Sequence, residues 1–289
     1  MKLPIHRIVL AAFYVLFLGT AAWFAAGGLS FYLTALPARP RHPLYWAFKP
    51  GGDIGHPLGV AGSAMMVAML AYSARKRLSA MRRLGPTSVW LDYHILLGIS
   101  GPVFVILHSS FKVQGLVALS FWSMIAVALS GVAGRYLYRQ IPRTREGAEL
   151  SLAEVERLDA DLSRQLIDQL GLSESAVSEL DRIAAEGAAG SRSLATALLR
   201  YPVDSWALRR RVRRFLRQHP RLRGRFGRRF AEVVARKARL HRRVLMWKRL
   251  HELFHYWHVV HKPFAIVMYL FMVIHVAVAW LTGYGWPSS

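Results

Sequence analysis

The sequence predicts an all-α integral membrane bundle of about five transmembrane helices, with a helical, charged cytosolic insertion between the fourth and the fifth. Three observations lead there. Of the 289 residues 54% are hydrophobic, yet the formal charge is +23, and the two facts are compatible when apolar and charged residues occupy different segments. The apolar residues gather into runs close to the ~20 residues that a bilayer crossing needs. Residues 141–250 are polar, and far too many to join two neighbouring membrane helices. The chain therefore divides into residues 1–140 with four helices, residues 141–250 as the insertion, and residues 251–289 with the fifth helix and a short outer C-terminus.

The first helix is expected from Ile8 to Phe31. Its length favours a retained span over a cleaved secretory signal, although a short basic start precedes it. The second runs from Leu58 to Tyr72, just after Pro57, with Gly59, Gly62 and Ser63 as small packing residues and Arg75, Lys76 and Arg77 as its stop. The third and fourth cover Val89 to His108 and Val117 to Leu137, and the fifth covers Pro263 to Leu281. Basic residues follow the second and fourth helices, whereas the link after the third carries only Lys112. The positive-inside rule then puts the N-terminus and the insertion in the cytosol and the C-terminus outside, in a prokaryotic cytoplasmic membrane.

Within the insertion, Ser151 and Glu154 form a capping-box pattern, and Leu152, Val155, Leu158, Leu162, Ile167 and Leu170 supply an approximate apolar stripe. A second helix is expected from Ser175 to Glu186, broken by Gly187 and Gly190, with Pro202 and Pro220 beyond. Carboxylates concentrate between Glu146 and Glu186 and arginines between Arg200 and Arg249. Arg209, Arg210, Arg211, Arg213 and Arg214 look like a phosphate-binding stripe, but beside a bilayer such a stripe more simply meets anionic headgroups or follows the topology rule. Membrane lipid is the expected partner, and no nucleic acid is expected.

The chemistry is carried by histidine. His94 and His108 lie fourteen residues apart in the third helix, and His261 and His275 repeat that interval in the fifth. Fourteen residues are nearly four helical turns, so each pair shares a face and is separated by about 21 Å along the axis. Buried histidine is costly in a bilayer and needs a partner. Two parallel helices bearing matched pairs would offer two imidazoles at each of two depths, His94 with His261 and His108 with His275, suited to the axial positions of two haem b irons. The other ring nitrogen of each can donate to a backbone carbonyl. No carboxylate or cysteine accompanies either level, which disfavours a tetrahedral ion, and with no cysteine in the chain disulfides and cysteine-held clusters are excluded. Gly98 and Gly101 follow His94, where a missing side chain lets a flat macrocycle approach the backbone. Phe104, Phe264, Phe271 and Met268 can supply apolar packing. Arg135, Arg139 and Lys262 at the cytosolic helix ends suit haem propionates and serve equally as interface anchors. His255, His258 and Glu252 form a candidate quinone and proton site, with simple anchoring beside Tyr256 and Trp257 as the alternative. His56, at the outer start of the second helix, is a further candidate haem or quinone contact.

On these residues the chain resembles the membrane dihaem b-type cytochromes, both the ferric-reductase-like transmembrane proteins and the cytochrome b of quinol-oxidising complexes. The resemblance covers Leu58 to Arg139 and His255 to Gly283, not the insertion, and implies that His94, His108, His261 and His275 are axial ligands. No glycine-rich dinucleotide fingerprint occurs in the sequence, so electrons are expected from soluble or membrane redox partner subunits or from quinone. The expected function is transmembrane electron transfer by a dihaem subunit of an oxidoreductase complex. One competing reading is a quinol-dependent ferric or metal reductase, which quinol and ferric chelate assayed with the subunit alone would reveal. The other is a haem-free scaffold with a basic lipid- or partner-binding insertion, which would lack b-type absorption.

Overall fold

A computed structural model describes residues 5–141, 150–169, 171–186, 203, 206–215, 217, 227–245 and 247–283. Every regular element among them is helical. In chain order these are α1 (Ile5–Gly27), α2 (Leu29–Leu33), α3 (Tyr45–Phe48), α4 (Gly55–Ala68), α5 (Leu70–Arg77), α6 (Thr87–Ser109), α7 (Gly115–Gln140), α8 (Leu152–Arg164), α9 (Glu174–Glu186), α10 (206–215), α11 (Gly227–Leu245) and α12 (Trp247–Leu281). Five stretches are long and apolar enough to cross a membrane: Ile5–Gly27, Gly55–Arg77, Thr87–Ser109, Gly115–Gln140 and Arg249–Leu281. The chain forms two compact units, Met1–Gly134 with Trp257–Ser289, and Arg135–Tyr256.

In the first unit α4 packs along α6 more extensively than any other pair of elements. Small residues make this approach feasible. A Cβ at Gly62 would lie 2.7 Å from Val105 Cγ2 and 2.9 Å from the Gly101 carbonyl oxygen, so bulkier residues would push the helices apart. The expected boundaries move where packing overrides apolar length. The first span ends at Gly27 rather than Phe31: Gly28, packed too closely under the Phe48 and Tyr32 rings for any side chain, leaves helical dihedrals (φ −97°, ψ 7°), and α2 begins at Leu29. The second begins at Gly55 and continues to Arg77, with Met69 separating α4 from α5, and Pro57 is tolerated because first-turn amides have no helical acceptor. The largest correction is at the fifth span. Pro263 lies inside α12, whose 35 residues begin at Trp247. At 1.5 Å per residue that is about 52 Å, longer than the ~30 Å hydrocarbon layer.

The connection between α1 and α4 folds back on the end of α6. Arg39, 7% exposed, donates through Nε to the Thr34 carbonyl, through Nη2 to that of Tyr32 and through Nη1 to that of Ser110. Ser110 adopts the left-handed conformation that ends α6, and its hydroxyl donates 2.6 Å to the Phe48 carbonyl. Phe31, Phe48, Leu58, Phe104 and Leu107 form the core under this connection. A second cluster is built from Met66, Met69, Met124, Met268 and Met272. Elsewhere large apolar side chains such as Val15, Trp23, Leu129 and Ile266 face outward along the spans.

The second unit has its own core, in which the π turn Gln165–Gln169 after α8 contributes Leu166 and α9, α10 and α11 contribute Val177, Leu180, Leu208, Phe215 and Val234. The Ser151 capping box is complete: Glu154 N–H donates to the Ser151 hydroxyl, and the Ser151 N–H donates 2.7 Å to the Glu154 carboxylate. These bonds hold the Glu154 carboxyl below its usual range. Ser151→Ala should cost about 1 kcal/mol, read as faster hydrogen exchange in the first turn of α8. The apolar stripe is only partly as expected. Val155 and Leu162 are buried, with Leu166 on the same face about three turns after Val155, but Leu152 and Leu158 are exposed, and the helix passes into a π turn at Gln165–Gln169. Leu170, Gly187, Gly190, Pro202 and Pro220 lie outside the described residues.

Candidate metal centre

His94 and His108 project from α6 and are held through Nδ1. The first donates to the Met69 carbonyl at 3.0 Å, at the α4–α5 junction, and the second to the Gly55 carbonyl at 2.9 Å, in the first turn of α4. A carbonyl only accepts, so each Nδ1 carries the proton and each Nε2 presents a lone pair. His261 reaches the same state differently. The Ser130 hydroxyl gives its one proton to the Val127 carbonyl at 2.9 Å and accepts from His261 Nδ1 at 2.6 Å. The Ser130 carbonyl also receives Trp257 Nε1–H at 2.7 Å, which sets the indole beside the His261 ring with centres 4.8 Å apart.

The structure brings His108 and His275 together, and His94 and His261 near enough for their charges to interact. The His108 and His275 ring centres are 6.4 Å apart and their planes incline by 58°. His94 lies within electrostatic reach of His261, and His56 within reach of His108. Two glycines make these positions available. A Cβ at Gly59 would lie 2.5 Å from His108 Nδ1, and one at Gly134 would lie 2.2 Å from the Trp257 ring. Sequence reasoning gave Gly59 only a packing role and passed over Gly55, Ser130 and Gly134. Two glycines one helical turn apart at the start of an apolar run were the available signal for Gly55 and Gly59, and that signal does not name His108.

The remaining site residues separate. Gly101 faces the Gly62 carbonyl and Met65 and Met66, and Gly98 faces the Met69 sulfur, so the room left by both missing side chains is taken by the α4–α5 segment. Phe104 and Met268 are buried, whereas Phe264 is exposed. Arg135 places its guanidinium 5.9 Å from the Tyr138 ring centre, the posture of a stacked interface side chain. Glu252 and His255 are exposed on α12, and the half-buried His258 packs edge-on to Trp257 at 4.6 Å.

One cavity of 400 Å³ is lined by Met69, Tyr72, Trp90, Tyr93 and His94, and another of 490 Å³ by Ser63, Val67, Met272, Val276 and Trp280, with no histidine in its lining. Both fall in the range of cofactor sites, about 300–1,000 Å³. Among the described residues, Asp159, Asp181 and His241 form the one cluster of three or more metal-capable groups. Its centre is filled by an internal cation. Lys237, 1% exposed, donates 2.8 Å to Asp159 Oδ2 and 2.8 Å to Asp181 Oδ1, while His241 Nδ1 donates 2.9 Å to Asp159 Oδ2. This is an ion-pair network with its positive charge built in.

No protein-family model, curated protein or solved structure matches the chain.

Proposed function

We propose that the protein is an integral membrane electron-transfer subunit that holds two haem b groups by bis-histidine ligation, one between His94 and His261 and the other between His108 and His275. The observation that carries this reading is the 6.4 Å between the His108 and His275 ring centres. That separation would let one metal be held between the two rings through a nitrogen of each. The interplanar angle is free in such a pair, because each ring can rotate about its own bond.

The donor set fits the group. Nδ1–H bonds to the Met69 and Gly55 carbonyls and to Ser130 fix three rings in the tautomer that leaves Nε2 for iron and raise its basicity. When bound, haem supplies a one-electron iron couple that six-coordination directs toward electron transfer rather than oxygen activation. Gly59 and Gly134 provide the close approach that positions His108 and Trp257. The methionine cluster includes Met268, midway along α12 between His261 and His275, and offers a polarizable apolar filling between the two levels.

Outward-facing apolar side chains on the five long helices support membrane insertion, and the basic residues after the second and fourth spans support a cytosolic location for residues 141–250. Electrons would then pass between a cytosolic partner or quinone and a partner on the outer side. Purified protein, expressed with ample haem, should give b-type bands in a reduced-minus-oxidised spectrum and two haems per chain. A preparation without such bands would end this reading. Gly59→Ala, whose new methyl overlaps the His108 ring, is expected to lose about half of the haem absorbance while leaving the His94–His261 half, with a 10- to 100-fold weaker hold on the lost group.

A further inference from the structure

In the second unit, α10 buries Leu208, Val212 and Phe215 in the core. At 100° per residue these cover one side of the helix, and the opposite side carries Arg209, Arg213, Trp206, Arg210 and Arg214 across an arc of about 140°. All five are exposed, Trp206 at 54%, and the preceding Val203 is 63% exposed. The Arg210 guanidinium lies 3.6 Å from the Trp206 ring centre. No carboxylate occurs from Trp206 to Arg217 to neutralise this face. An indole capped by a guanidinium at the start of an arginine face, with an exposed valine preceding it, combines the two groups that settle at a bilayer interface.

We propose that this face of α10 is a docking surface for anionic phospholipid headgroups. The occupant follows from charge and from covalent connection. The unit carrying α10 is bounded at both ends by α7 and α12, two of the helices apolar enough to cross a membrane. A tethered cationic face therefore meets a lipid surface at high effective concentration, ahead of any free polyanion. Trp206 and Val203 add what phosphate recognition by itself would not call for, exposed apolar side chains at the N-terminal end of the arginine face. The proposal rests on the membrane reading above but not on haem.

Because the chain lacks cysteine, one introduced thiol gives a unique spin-label site in the full-length protein. Val203→Cys reports the α10 face, and Val15→Cys, on the outward side of α1, reports the span itself. Both labelled proteins are placed in nanodiscs of phosphatidylcholine alone or with phosphatidylglycerol, and oxygen and nickel accessibilities are compared. The Val15 label should be lipid-immersed in both discs. The Val203 label should move from water to headgroup depth only in the anionic disc and return to water at 1 M salt, where the Debye length falls to about 3 Å. At about fivefold in partition per arginine near an anionic surface, the four should give a gain on the order of several hundredfold, and R209E/R210E/R213E/R214E should abolish it. These four side chains are outside the core, and circular dichroism checks the variant, while the lipid comparison needs no charge variant at all. A Val203 label that stays in water in anionic discs with the Val15 label immersed would overturn the lipid surface alone. Both labels in water would overturn the membrane reading. Displacement of the Val203 label from anionic discs by a stoichiometric RNA oligonucleotide would reassign the face to nucleic acid.

Discussion

Alanine at His108 or at His275 is expected to remove the same half of the b-type absorbance, and alanine at His94 or at His261 the other half. Each pair would share one iron, so the first substitution in a pair leaves a single imidazole and an open coordination position. The double variant His108→Ala/His275→Ala should then lose no more haem than either single variant, whereas His108→Ala/His261→Ala should lose both groups. The measurement is the haem-to-protein ratio with the reduced-minus-oxidised spectrum, and it separates ligation from mere packing. Interhelical hydrogen bonding would leave haem untouched, and a different pairing would make His108→Ala and His275→Ala additive. Ser130→Ala is the graded companion. It removes the acceptor of His261 Nδ1–H at 2.6 Å but leaves the ring, so it should weaken retention by 10- to 100-fold without abolishing it.

The parts of this fold that were legible in the sequence are those set by solvent. A run such as Ile8 to Leu18 has one physical destination, and each of the five long helices overlaps one of the expected apolar runs, though not its bounds. The equal His94–His108 and His261–His275 intervals likewise survive translation into helices, because periodicity converts directly into shared faces. What could not be read is set by partners distant in sequence. Nothing local tells that Gly28 lies under Phe48 or that Gly59 lies under His108. Nor does anything local tell that Ser130 is the acceptor for a histidine 131 positions away. Pro263 misled because proline usually marks a helix start, while in a long helix its neighbours tolerate one missing amide. The Leu152 and Leu158 positions failed for a different reason, since each lies three residues from Val155, about 60° to either side of the buried Val155–Leu162 line, where the stripe meets solvent.

The most costly single change outside the spans is expected at Lys237. Among the described residues its ammonium is the one cation bonded at 2.8 Å to both Asp159 and Asp181, and it is almost fully buried. Lys237→Ala would leave two carboxylates facing each other across a cavity with His241 as the remaining donor. Breaking a buried network on one side costs about 3–5 kcal/mol, a large fraction of the stability of a small unit. Removing charge from all members is different: Lys237→Met with Asp159→Asn and Asp181→Asn should be near neutral, since it deletes the desolvation cost together with the attraction. The acid response gives an independent check. Burial works to raise the Asp159 carboxyl, but the hydrogen bonds from His241 and Lys237 outweigh it and hold the group below its usual range. A carboxylate lowered in the folded state contributes stability that is present above the ordinary carboxylate pKa, about 3.9, and is lost as pH falls through the lowered value. Hydrogen exchange at the amides of α8, α9 and α11, followed against pH in the full chain, should therefore show an acid-side loss of protection that Lys237→Ala diminishes and the triple variant removes. Equal protection in Lys237→Ala and the parent protein would mean that the network contributes nothing and that the apolar contacts of Leu166, Leu180 and Val234 hold the unit by themselves.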